Sequence, residues 1–407
     1  MNRDAHIHAA DLHGLSRLAV DGVLGTTALV EQLHYAISRV SGPTLPSKDG
    51  RTRGITGLVY RSIHGITGLV GATTDLAFRQ IVPRWSTAES TPQRDRALAV
   101  LNGVLGDHLE ASNNPLAVKM SLRYAGTPLL PSSDRLAAVL PQSCTRVAIF
   151  LHGLCMSDHH WTPAGDRADE ANLPQLLGEA AGYLPLHLYY NSGRAISRNG
   201  LEFAQLLESL IGLWPEAVED LVLIGHSMGG LVARSACHYG HLANHAWTRQ
   251  TRRLITLGSP HHGAPLERIG HKVDQALGLT PFTAPFTRLG RIRSAGIIDL
   301  RHGRLIDGGV PLPGQSARPG HQTLTPFHPP QLRVYTVAAT LAEHAGAFKS
   351  RTLGDGLVTV SSALGQHDDP EHCLPAHGQA IVTRTGHLQL LGHPEVARQV
   401  LSWLSEA

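Results

Sequence analysis

The run Leu221-Val222-Leu223-Ile224-Gly225-His226-Ser227-Met228-Gly229-Gly230-Leu231-Val232-Ala233-Arg234-Ser235 constrains this chain more than any other stretch. Four apolar residues of strand character lead into Gly-x-Ser-x-Gly, and a helical segment follows at once. Alone, Gly-x-Ser-x-Gly is a weak signal in a chain with 42 glycines. Between a strand and a helix it is a strong one. The turn is then so sharp that it strains the central residue and lifts the Ser227 hydroxyl above the sheet edge. Gly225 and Gly229 are required where a Cβ would collide with neighbouring backbone.

Further short apolar runs follow the same rhythm. Strands are expected at 146–151, 184–190, 221–224, 253–257, 334–339 and 380–383, with helices near 197–213, 228–239 and 394–405. Strands alternating with helices indicate βαβ units, hence an α/β fold with a mainly parallel sheet and helices on both faces. Residues 83–95 and 126–133, rich in Pro, Ser and Thr, read as loops. Residues 261–330 break the rhythm with nine prolines and several glycines, so a lid or binding insertion is expected there. The expected domains are a helical region over 1–140 and a catalytic domain over 141–407.

The first 140 residues carry apolar positions at helical spacing and a near repeat. Gly54-Ile55-Thr56-Gly57-Leu58-Val59 returns eleven residues later as Gly65-Ile66-Thr67-Gly68-Leu69-Val70, with weaker echoes at Gly22–Gly25 and Gly103–Gly106. Eleven residues make three helical turns, so the repeated side chains share one face. Two readings stay open. The glycine-bearing helices pack closely against the main domain or each other, or residues 12–80 lie against a membrane or lipid surface.

Composition removes several classes. Apolar residues make up 42% and charged residues 16%, which excludes a disordered, highly charged chain. A net charge of +3 without a dense Lys/Arg run argues against a nucleic-acid partner. The amino terminus lacks a basic start followed by an apolar core, and no uninterrupted apolar run is long enough to span a membrane, so a cytoplasmic location is expected. The 26 histidines invite a metal reading. However, adjacent pairs such as His159-His160 and His261-His262 point to opposite sides of an extended segment, and His-Glu-x-x-His does not occur. Neither a metal nor a cofactor is expected.

A serine hydroxyl needs a base to take its proton and a carboxylate to orient that base. After a nucleophile on a strand-to-helix turn, the chain order is acid, then histidine. Asp355, in a Gly-flanked turn after strand 334–339, is the favoured acid over Asp299, Asp307, Asp368 and Asp369. His387, on the loop after strand 380–383, is the favoured base over His377 and His393. Backbone N–H groups of Met228 and of Leu154, in the turn His152-Gly153-Leu154, suit an oxyanion hole. His152, Gly153 and His226 are expected beside the substrate.

At these residues the chain from about 145 to 407 resembles the α/β-hydrolase superfamily, in its bacterial esterase and triacylglycerol lipase group with GPI-inositol deacylase-like relatives. The resemblance rests on Leu151–Leu154, Gly225–Gly230, Leu257-Gly258-Ser259-Pro260-His261-His262-Gly263, Gly354–Val358 and Gly386-His387. It implies an α/β-hydrolase fold and a serine carboxylesterase or lipase acting on a small-molecule or lipid ester. Acyl transfer and thioester cleavage with the same triad remain alternatives, as does a lipid-surface or granule-binding protein. Some of these lipases hold calcium near the histidine, but here Leu388-Gln389-Leu390-Leu391 supplies no carboxylate. The resemblance does not extend to the first 140 residues.

Overall fold

The computed structural model describes residues 8–406 apart from 42–53, 86–89, 142–143, 163–169, 265–293, 308–325, 327–328 and 345–353. Most of the expected insertion therefore lies outside the described residues. The chain divides into two compact units, one drawn from residues 1–94 and 109–117, the other from 95–108 and 118–407.

In the first unit, helices α1 (Ala9–Ser41) and α2 (Gly54–Trp85) are joined by ion pairs and small-residue contacts. His13 Nε2 donates to Asp75 Oδ1 at 2.6 Å, and Arg94, beyond α2 in the helix that starts at Pro92, grips both carboxylate oxygens of Asp11 at 2.7 and 2.6 Å. A Cβ on Gly71 would approach Val20 to 2.9 Å, so the helices come close there. The repeated glycines behave differently. Nothing lies within 4 Å of where a Cβ would stand on Gly65 or Gly68. Beside them Ile66 and Leu69 are 65% and 66% exposed, and Val59, Ile63, Val70 and Leu76 also face outward. Of the expected repeat face, the side chains of Ile55 and Leu58 lie outside the described residues.

The second unit holds one eight-stranded sheet, in the order β2-β1-β4-β3-β5-β6-β7-β8. The strands are β1 (Ser121–Tyr124), β2 (Thr127–Pro128), β3 (Arg146–Leu151), β4 (Leu184–Tyr189), β5 (Asp220–His226), β6 (Thr251–Leu257), β7 (Arg333–Ala339) and β8 (Gly378–Val382). From β4 through β8 every pairing is parallel, and β1 and β2 add an antiparallel edge. Central strands are buried on both faces, which is why they read as continuous apolar runs. In β5, Leu221 and Leu223 enter one core cluster while Val222 and Ile224 enter the other, and all four are fully buried.

The helices are α3 (Pro92–Ala111), α4 (Ser133–Val139), α5 (Leu173–Ala181), α6 (Ile196–Ile211), α7 (Met228–Leu242), α8 (Trp247–Gln250), α9 (Ala295–His302), α10 (Val360–Leu364) and α11 (Pro394–Ser405). The boundary expected at residue 140 moves. The hydrogen-bonded sheet already begins at Ser121, and residues 95–108 of α3 belong to the second unit. Parts of the two expected loop stretches turn out helical or paired: 83–85 end α2, 92–95 begin α3, and Thr127-Pro128 pair with β1. It is the weaker glycine echo, on α3, that packs tightly. A Cβ on Gly103 would meet Cys155 Sγ and backbone, and one on Gly106 would meet Asn191.

Candidate active site

The turn that carries Ser227 follows from the sheet. β5 ends at His226, α7 starts at Met228, and Ser227 between them has φ 54° and ψ −123°. Such a conformation is strained for any residue with a Cβ. It is held by Ser227 N–H donating to the Leu257 carbonyl at 2.9 Å and by Gly230 N–H donating to the Ser227 carbonyl at 3.2 Å. A Cβ on Gly225 would stand 2.3 Å from Gly230 N, and one on Gly229 would stand 2.2 Å from the Leu151 carbonyl. The two glycines therefore admit the close pass of α7 over the ends of β5 and β3.

Asp355 lies in the turn after β7, flanked by Gly354 at φ 55° and Gly356 at φ 94°. Its Oδ1 accepts the N–H groups of Leu357 and Val358 at 2.9 and 2.8 Å, and its Oδ2 accepts His387 Nδ1–H at 2.7 Å. The His387 N–H also donates to the Asp355 carbonyl at 3.1 Å, so the two residues are tied through main chain and side chain. Burial opposes ionisation of Asp355, but the charge and hydrogen bond of His387 and the two N–H donors outweigh it and hold the carboxyl below its usual range. Gly258, at φ 60°, completes the wall: a Cβ there would crowd Asp355 Oδ2 and His387 Cε1 at 3.3 Å. Among the described residues, Ser227 Oγ makes no hydrogen bond to His387, whose Nδ1 is engaged by Asp355.

The rival residues have other work. Asp299 accepts the Ile196 N–H at the start of α6, and Asp307 accepts the Ser197 hydroxyl. Asp369 holds Glu371 N–H and His372, while its neighbour Asp368 is exposed. His377 accepts the Val334 N–H, and His393 caps α11.

The loop after β3 lies against Ser227. A Cβ on Gly153 would stand 3.1 Å from Ser227 Cβ. The loop is pinned by Tyr190 O–H donating to the His152 carbonyl at 2.7 Å and by Cys155 N–H donating to Ser192 Oγ at 3.1 Å. Among the described residues, the N–H groups of Leu154 and Met228 have no protein acceptor. Met228 opens α7, where unpaired N–H groups and the helix dipole favour negative charge.

His152 and His226, expected beside the substrate, are both 0% exposed. The His152 ring stacks on Tyr190 at 4.3 Å and its Nδ1 meets the Gly153 carbonyl at 2.9 Å. Burial pushes it down to about 4. The His226 ring turns toward the main chain of His387. Their burial makes them parts of the framework that shapes the loops.

Sequence reasoning missed the anchor of the β3 loop. Arg123 on β1 donates to Asp95 at 2.7 Å and to both oxygens of Asp158 at 3.2 Å, and lies 3.8 Å over the Tyr189 ring. Asp95, Asp158 and His159 bring ligand atoms close enough for a cation. The Arg123 guanidinium already supplies positive charge there, and His160 turns away to Ser157.

Strand order, the strained serine at the end of β5 and its placement before α7 define an α/β-hydrolase fold. Residues 144–282 match the family model described as PGAP1-like alpha/beta domain. That span contains Ser227 and the β3 loop but ends before Asp355 and His387. No curated protein matches significantly. Solved structures give distant likenesses. A mature lipase from Bacillus licheniformis is 20% identical, with a TM-score of 0.41, over 65% of this chain and 94% of that one. The naproxen esterase (carboxylesterase NP) of Bacillus subtilis is 13% identical, with a TM-score of 0.36, over 65% and 85%. The RedJ thioesterase of the prodiginine pathway in Streptomyces coelicolor is 15% identical, with a TM-score of 0.37, over 66% and 93%.

Proposed function

We propose that the protein is a serine hydrolase that cleaves carboxylic esters through an acyl-enzyme on Ser227. The observation that carries this reading is the 2.7 Å bond between His387 Nδ1 and Asp355, formed beside a serine held in a strained turn. With Nδ1–H engaged, the neutral imidazole presents Nε2 as the base. It takes the Ser227 proton as Oγ attacks the ester carbonyl, and Asp355 stabilises the imidazolium that forms. Leu154 and Met228 N–H groups donate to the oxyanion. The intermediate collapses, the imidazolium protonates the leaving alkoxide, and the acyl group stays on Ser227. His387 then activates water, which releases the acid and restores the serine.

In Ser227→Ala, hydrolysis of p-nitrophenyl esters falls by at least about 10⁴-fold while the fold is kept. Full activity in that variant would overturn the proposal. Adding a competing alcohol or a thioester substrate shows whether the acyl group passes to water or to another acceptor, and whether it arrives from an oxygen or a sulfur ester.

A second reading concerns the first unit. The outward stripe Val59, Ile63, Ile66 and Val70 recurs at spacings of four and three on α2, which favours contact with a lipid surface. The full chain then floats with liposomes, and Ile66→Asp with Leu69→Asp abolishes flotation without changing ester turnover. Unchanged flotation in that double variant counts against it.

A further inference from the structure

We propose that His226 is a positioning residue that couples the nucleophile turn, the β3 loop and the base. This rests on the reading of Ser227 and His387 as nucleophile and base. His226 immediately precedes Ser227 in the chain, so its backbone is part of the strained turn. Its Nε2 lies 3.0 Å from the His387 carbonyl oxygen, 161 residues away. A carbonyl accepts only, so Nε2 carries the proton and Nδ1 is bare. The bare Nδ1 is buried and has no hydrogen-bond partner among the described residues. It faces Gly153, where a Cβ would come to 3.3 Å from Nδ1 and 3.1 Å from Ser227 Cβ. The ring centroid lies 4.7 Å from that of His387 and 6.5 Å from that of Trp161, whose plane stands nearly perpendicular at 85°.

A buried unpaired acceptor is unfavourable, and a leucine here would avoid it. What the imidazole adds is the N–H that fixes the main chain of His387. That bond sets the height of the catalytic ring above Ser227 from behind, as Asp355 sets its rotation from the side. Burial first, and the neighbouring His387 second, push His226 down to about 3. It therefore stays neutral at working pH and places no second positive charge beside the imidazolium formed during turnover. A side chain at 153 would press on both His226 and Ser227, which would have to give by a few tenths of an ångström.

The test compares wild type, H226L and H226Q in the full chain. Leucine keeps the volume and removes the donor, whereas glutamine offers a neutral N–H of similar reach. For p-nitrophenyl butyrate, H226L lowers kcat by about 10- to 100-fold, the scale of a misplaced catalytic group, with KM nearly unchanged. Its proton NMR signal from the His387–Asp355 hydrogen bond weakens. H226Q recovers most of kcat and the signal. Wild-type kcat in H226L, or equal losses in H226L and H226Q, overturns the proposal. Should H226L not fold, H226N replaces it: asparagine has the same amide on a shorter arm, so loss in H226N against retention in H226Q supports the role, and equal values overturn it. Failure of the hydrolase reading looks different. Wild type then shows no Ser227-dependent turnover, while the NMR signal still reports whether His226 holds His387.

Discussion

Ser227 carries a backbone conformation that costs a residue with a Cβ on the order of 1–3 kcal/mol. The surrounding bonds to Leu257 and Gly230 hold it there, so the strain belongs to the folded state. Ser227→Gly relieves it. That variant is expected to gain about 1 kcal/mol in urea denaturation while losing ester turnover, because strain relief exceeds the extra freedom of glycine in the unfolded chain. No gain, or a loss, would mean that the turn is not strained. Residues of this type were legible in the sequence because their signals are local. Gly225, Ser227 and Gly229 sit within five positions, and Asp355 and His387 each follow a strand. His226 and Arg123 were not legible in their roles. Their partners stand 161 positions away for His226, and 28 and 35 positions away for Arg123, and no local pattern announces them.

Among the elements, the two kinds of glycine-bearing helix give opposite predictions. Gly103 on α3 faces Cys155, where an added Cβ would press on Sγ at 2.3 Å and on backbone at 2.9 Å. Gly103→Ala is expected to destabilise by about 1–3 kcal/mol and to depress activity, since Cys155 adjoins Leu154 in the β3 loop. Gly68 on α2 has open space, so Gly68→Ala is expected to stabilise by up to about 1 kcal/mol through helix propensity alone. Thermal unfolding of the two variants checks both signs, and equal shifts would sink the distinction. The repeat announced helices but not which of them pack, because packing depends on a partner surface. Strand β1, one in from the sheet edge, escaped sequence reading for a related reason. It is four residues long and carries Arg123 inward, toward Asp95 and Asp158, where alternation would have called for an apolar residue.

At the scale of the whole molecule, the histidine count has a consequence for acid stability. His152 and His226 are buried neutral, held down to about 4 and about 3 by desolvation first. In the unfolded chain each returns to about 6.5. Between those values the unfolded state binds the extra protons, so stability rises with pH and is lost as pH falls below about 6.5. Each contributes up to about 1.4 kcal/mol per pH unit, so moving from pH 6 to pH 5 costs about 2–3 kcal/mol. Denaturant midpoints measured from pH 7 to 5 check this, and a flat profile would contradict it. The mainly parallel sheet was readable from apolar runs alternating with helices, whereas its strand order comes from the structure. The division into units was not, since β1 and residues 95–108 join the second unit by long-range pairing alone.

The strand ends that carry Ser227, Asp355 and His387 are also stations in time. A ribosome adding about 5–20 residues per second delivers the nucleophile turn roughly 8 to 30 seconds before His387 leaves the peptidyl-transferase centre. During that interval the nascent chain holds Ser227 without His387, and so without the carbonyl that accepts from His226. The proposed triad can therefore assemble only in one late event, when β7 and β8 add to the edge of β6.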